Sequence, residues 1–147
     1  MKLTGTKKPA HQAPADAVGV FWHEEQKPAA KSAFADAINE LLSVGDFKGK
    51  ASDTTVVPLK GAATRRLVLV GLGKREKVDA STWRKAGARL TSAARHKGYA
   101  NVAVDSTSIK KDALQTVAAG MALANYEFTT FKKNEDKKPV ESVTFAG

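Results

Sequence analysis

The stretch Arg66-Leu67-Val68-Leu69-Val70-Gly71-Leu72-Gly73-Lys74 constrains the fold of this chain more than any other. Leu67 to Val70 is an unbroken apolar run containing two β-branched residues, with glycines directly behind it. It is too short for an ordinary helix and lacks the in-out alternation of a half-exposed strand. It therefore reads as a strand from Arg66 to Val70 covered on both faces, with Gly71 and Gly73 closing it. Such a strand needs helices above and below. The expected class is α/β, a mixed and mostly parallel sheet of about five or six strands sandwiched between helices.

The flanking sequence fits that scheme. Lys2 to Thr6 suits an edge strand, and Ala17-Val18-Gly19-Val20-Phe21-Trp22 an interior one. Pro28 is placed to open a helix, along which Phe34, Ala37, Ile38, Leu41 and Leu42 recur at helical spacing until Gly45. Thr54 to Val57 is a strand pattern that Pro58 ends or confines to an edge, because proline cannot donate a ladder hydrogen bond. Asp79 is a helix N-cap. Trp83, Ala86, Gly87, Leu90 and Ala94 then form one helix face, their small members letting it approach the sheet, while Arg84, Lys85, Arg89, Arg95 and His96 form the other; Gly98 stops the helix. Asn101 to Asp105 and Ser142 to Ala146 are further strands. Between them Lys110 to Tyr126 predicts a helix with Leu114, Val117, Ala118, Met121 and Ala122 buried. Phe128 and Phe131 prolong that pattern, and Lys132 to Pro139 is a charged turn.

A chain of 147 residues with neither repeat nor internal linker is expected to be one domain, residues 1–147. It has no cysteine, which excludes disulfides, thiolate metal sites and a cysteine nucleophile. No run approaches the length of a membrane span and the N-terminus has no signal-peptide core, so a cytoplasmic location with no membrane partner is expected. The net charge of +9 is concentrated: eleven basic residues stand against Glu76 and Asp79 between Lys60 and Lys97, and the remainder of the chain balances. The cationic face Arg84, Lys85, Arg89 and Arg95 is thus expected to form one positive patch. It is either an ordinary solvated face or a contact for nucleic-acid phosphates or an acidic subunit.

The chemical motifs are incomplete. Gly71-Leu72-Gly73-Lys74 suggests a phosphate loop, but the third glycine of the dinucleotide pattern falls on Glu76, and no Walker spacing is present. His23-Glu24 begins a zinc-helix motif whose second histidine position is Lys27. His11, His23 and His96 are far apart and read as surface residues, and no Ser-His-Asp set has a nucleophile-elbow context. No active site and no cofactor are expected within this chain.

Three ordered blocks carry more information. Leu41 to Lys50, containing Asp46-Phe47-Lys48-Gly49-Lys50, is followed by Arg66 to Glu76, containing Gly71, Gly73 and Lys74, and then by Gly120 to Lys132. Together they resemble the N-terminal domain of leucyl aminopeptidases, the cytosol aminopeptidase family. The resemblance implies a mixed sheet between helices, related to macro domains, and a non-catalytic role in building homohexamers. It also implies that two divalent metal ions, zinc or manganese, belong to a C-terminal catalytic domain that removes N-terminal residues from peptides. The metal motif of that domain, similar to Asn-Thr-Asp-Ala-Glu-Gly-Arg-Leu, does not occur here, so no catalytic or metal residue carries over. Asp46 to Lys50 and Gly71 to Lys74 are then structural. Some members of the family bind DNA, and the likeness to macro domains leaves an ADP-ribose binder as a further alternative.

Overall fold

The computed structural model describes residues 1–27, 34–51, 53–60, 62–131 and 139–147. Six strands form one sheet: β1 (Lys2–Thr6), β2 (Ala17–His23), β3 (Thr54–Pro58), β4 (Arg66–Gly73), β5 (Asn101–Asp105) and β6 (Ser142–Ala146). Their order is β1-β6-β5-β2-β4-β3, with β3 antiparallel to β4 and every other pair parallel. Both edges follow from sequence. β1 carries one large apolar residue, Leu3, and is exposed along most of its length, while β3 ends on Pro58.

Strand alternation splits the interior into two cores. Val18, Val20, Trp22, Leu67 and Leu69 face one side, where Ile38 and Leu41 of α1 (Ala35–Val44) and Phe34 just before it cover them. Phe21, Val68, Val70 and Leu72 face the other, under α2 (Ala80–His96) and α3 (Leu114–Phe131). Gly45 ends α1 in the left-handed conformation at φ 79°. Asp79 caps α2, its Oδ1 accepting from the Thr82 amide at 3.0 Å while the Thr82 hydroxyl accepts from the Asp79 amide at 3.2 Å. The expected helix start at Pro28 and the turn 132–138 lie outside the described residues, as do the side chains of Phe128 and Phe131.

Three expectations are corrected. β4 does not end at Val70: it runs on through Gly71 and Leu72, and of the two glycines only Gly73, at φ 83°, closes it. Gly87 does not bring α2 onto the sheet. A Cβ there would strike the carbonyl oxygen of Val117, and one on Gly120 would strike that of Arg84, so this glycine pair lets α2 and α3 cross backbone to backbone. Approach to the sheet comes instead from Gly19, whose missing side chain leaves room for Leu90. On α3, Val117 and Met121 are buried as expected, but Ala122 is exposed and Asn125 is buried.

Candidate functional site

The first two of the three motif blocks meet. The loop after α1 runs over the end of β4 so closely that a Cβ on Gly71 would overlap the Lys50 carbonyl oxygen, and one on Gly49 would lie 2.5 Å from that of His23. Gly49 and Gly73 both have φ near +80°, which only glycine adopts freely. The backbones are tied directly: Gly73 N–H donates to Gly49 O and Gly71 N–H to Asp53 O, each at 2.8 Å. Phe47 is buried in the core beneath α1 and anchors the loop. Asp46, Lys48, Lys50 and Lys74 are exposed.

Asp53 organises this loop. Its Oδ2 accepts from the amides of Lys48 at 3.0 Å and Lys50 at 3.2 Å. Arg89 clamps the same junction, donating from Nη2 to Gly71 O at 2.8 Å and from Nη1 to Asp53 O at 3.5 Å. Burial, partly offset by the Asp53 charge, lowers the Arg89 pKa. Asp53 escaped sequence reasoning. Its signal is an aspartate three residues beyond a Gly-Lys turn, placed to cap loop amides. Asn125 was missed as well: its amide donates to Val140 O at 2.9 Å and accepts from Val140 N–H at 2.8 Å, tying α3 to the approach of β6.

The expected cationic patch is therefore divided. Arg84 and Lys85 are exposed, but Arg89 and Arg95 are partly buried and turn inward. Arg95 Nη1 donates to Ala124 O of α3 at 3.3 Å, and burial lowers its pKa. The stems of these arginines are long enough to reach a neighbouring element from what a helical wheel shows as the solvent face.

A hollow of about 610 Å³ opens at the carboxyl ends of β2 and β5 beside the start of α2. Open parallel sheets place ligands at these strand ends. Its floor is aromatic. Trp83 stands edge-to-face with Phe21 at 5.9 Å and with the His23 ring at 6.4 Å. His23 is consequently not the surface residue expected from sequence. Its Nδ1 is buried without a hydrogen-bond partner, and burial, followed by the nearby Arg75 charge, lowers its pKa. The turn after β2 holds the backbone that carries this ring: Glu25 adopts φ 63°, and the Gln26 side chain accepts from the His23 amide at 2.9 Å. A second hollow of about 480 Å³ adjoins the first across Phe21, Gln26, Thr107 and Ser108. Among the described residues no three His, Cys, Asp or Glu side chains come together. The two divalent ions implied by the resemblance thus find no fitting donor set among them.

The family model described as "Cytosol aminopeptidase family, N-terminal domain" matches residues 17–135. The chain belongs to the cytosol aminopeptidase family. Among curated relatives, a probable cytosol aminopeptidase of Roseiflexus castenholzii is 32% identical over 132 residues, covering 84% of this chain and 26% of the relative. One from Aquifex aeolicus is 31% identical over 128 residues, covering 82% and 26%. The chain thus spans about a quarter of the length of these cytosol aminopeptidases. In three dimensions it is similar to a tomato leucine aminopeptidase mutant, with a TM-score of 0.74 at 18% identity, covering all of this chain and 32% of that one. It is also similar to a Trypanosoma brucei macrodomain in complex with ADP-ribose, with a TM-score of 0.64 at 15% identity, covering 98% and 62%. At these identities the likenesses establish a shared fold. No described helix is long and apolar enough to cross a membrane.

Proposed function

We propose that residues 1–147 form the single, non-catalytic N-terminal domain of a leucyl aminopeptidase. Its partners are the C-terminal catalytic domain and sister subunits of a homohexamer, and its location is cytoplasmic. The whole enzyme releases N-terminal residues from peptides by two-metal hydrolysis, with zinc or manganese held outside these residues. The observation that carries this reading is the match of residues 17–135 to the family's N-terminal domain. The motif blocks support it: Gly49, Gly71 and Gly73 serve backbone packing, which suits a scaffold better than a reacting centre. The word "cytosol" in the relatives' names supports the location, although a tomato relative is named chloroplastic.

The alternatives have less behind them. Duplex DNA contact by Arg84, Lys85, Arg89 and Arg95 is left with two outward cations. An ADP-ribose diphosphate in the larger hollow would meet the carboxylates of Asp79 and Asp112 as well as the cations Arg75 and Lys110.

Two measurements test the proposal. This chain, assayed on a leucine anilide with manganese, should give no turnover. A chimera in which it replaces the matching segment of the Roseiflexus relative should assemble and cleave the same anilide. Turnover by this chain alone overturns the non-catalytic role, and a folded but monomeric, inactive chimera overturns the assembly role.

A further inference from the structure

The hollow at the carboxyl ends of β2 and β5 has a composition that neither the fold nor the family likeness explains. Its base is apolar and rigid, because Phe21, Trp83 and the His23 ring hold one another edge-to-face. Its polar lining carries balanced charge. Arg75 and Lys110 are cations, and Asp79 and Asp112 are anions. Lys110 and Asp112 stand on one wall with Nζ and Oδ2 4.0 Å apart, both well exposed. Arg75 and Asp79 come from the segment that leads from β4 into α2.

Each class of ligand meets this lining differently. A polyanion is attracted by Arg75 and Lys110 but repelled by both carboxylates, and a simple cation meets the converse. A neutral apolar ligand gives the Arg75 guanidinium no partner and makes no use of the Lys110–Asp112 pair. A zwitterion with an apolar side chain uses both signs: its carboxylate pairs with a cation and its ammonium with Asp112, while Asp79 stays with the Thr82 cap and the side chain meets the exposed edge of the apolar base. The volume lies within the usual range for small-molecule sites and admits such a ligand with water beside it.

We propose that this hollow is a binding site for free α-amino acids with an aromatic or branched apolar side chain. Arg75 receives the carboxylate, Asp112 receives the ammonium, and the side chain lies against Trp83. The proposal is independent of the scaffold reading above, since it requires neither a catalytic domain nor an oligomer.

The test is calorimetric titration of this chain with L-phenylalanine and two analogues that each lack one charge, phenethylamine and 3-phenylpropionate. Phenylalanine should bind, and each analogue about tenfold more weakly, the scale of one charge-assisted contact. Arg75→Glu should weaken phenylalanine and 3-phenylpropionate by about tenfold or more while sparing phenethylamine. Lys85→Glu makes the same change in net charge outside the hollow and should leave all three unchanged. Both residues are exposed, and circular dichroism checks that the variants fold. The proposal fails if phenylalanine gives no saturable signal up to about 20 mM. It fails equally if the analogues bind as tightly as phenylalanine, or if ADP-ribose binds with Arg75 dependence while phenylalanine does not.

Discussion

Single side chains here do work that their position in the sequence disguises. Arg89 lies on the outer arc of a helical wheel, yet its planar fork satisfies two carbonyls at the junction of β4 and the loop after α1. Lysine cannot reproduce that fork, so Arg89→Lys and Arg89→Ala should both destabilise the fold, by about 1–3 kcal/mol, as shifts of the urea midpoint at constant slope. Arg84→Ala, at an exposed position on the same helix, should stay within about 0.5 kcal/mol.

His23 makes a pH prediction. Its folded pKa lies below the ordinary 6.5 because the ring is partly buried and Arg75 is near. The unfolded chain therefore takes up a proton at a higher pH than the folded one. Stability contributed by the neutral ring is complete above pH 6.5, declines as pH falls below it, and levels off beneath the folded pKa. In His23→Phe that part of the decline should vanish, so the stability difference between about pH 7.5 and 5.5 narrows in chemical denaturation.

At the scale of elements, the decisive contact is between helices. α2 and α3 cross where Gly87 faces Val117 and Gly120 faces Arg84, and the opposing atoms are backbone, which cannot turn aside. Alanine improves helix propensity by about 1 kcal/mol at either site. It should nonetheless cost about 1–3 kcal/mol net, because the helices must separate over Trp83, Leu90 and Met121. Gly5→Ala in β1 is the contrast. Its nearest neighbour, the Phe145 carbonyl oxygen, is 3.8 Å from the new Cβ, and thermal melts should show little change. α3 illustrates how periodicity misleads. Ala122 fitted the apolar stripe but faces solvent, and Asn125, polar by composition, is buried because its amide pairs with both the backbone N–H and the C=O of Val140.

Across the whole molecule, one sheet serves two cores. Trp22 sits in the core under α1, and Trp83 in the core under α2 and α3. The strands between them, β2 and β4, contribute alternate residues to both, so neither core can dissolve while the other keeps its sheet. Urea unfolding of Trp22→Phe and Trp83→Phe, each followed by the remaining indole, should give a single transition, with fluorescence and far-UV circular dichroism coinciding within each variant. Separate transitions would show that the two layers are independent units.

The α/β class, the strand seeds and the cap at Asp79 were legible in the sequence because they depend on neighbours within a few residues: apolar runs, turn formers and the side chain that begins a helix. The three ordered blocks carried the family for the same reason, since order and spacing along the chain are the information a sequence holds. Only tertiary structure decided what the blocks do. Gly71 and Gly73 are glycines because a loop from about twenty residues earlier lies against the end of β4 and bonds its backbone to them, and Arg89 and Arg95 turn inward because carbonyls on other elements come within their reach. The aromatic hollow belongs to that second group. Its floor joins Phe21 and His23 to Trp83 across some sixty residues of chain, a proximity set by parallel strand order and invisible to any local pattern.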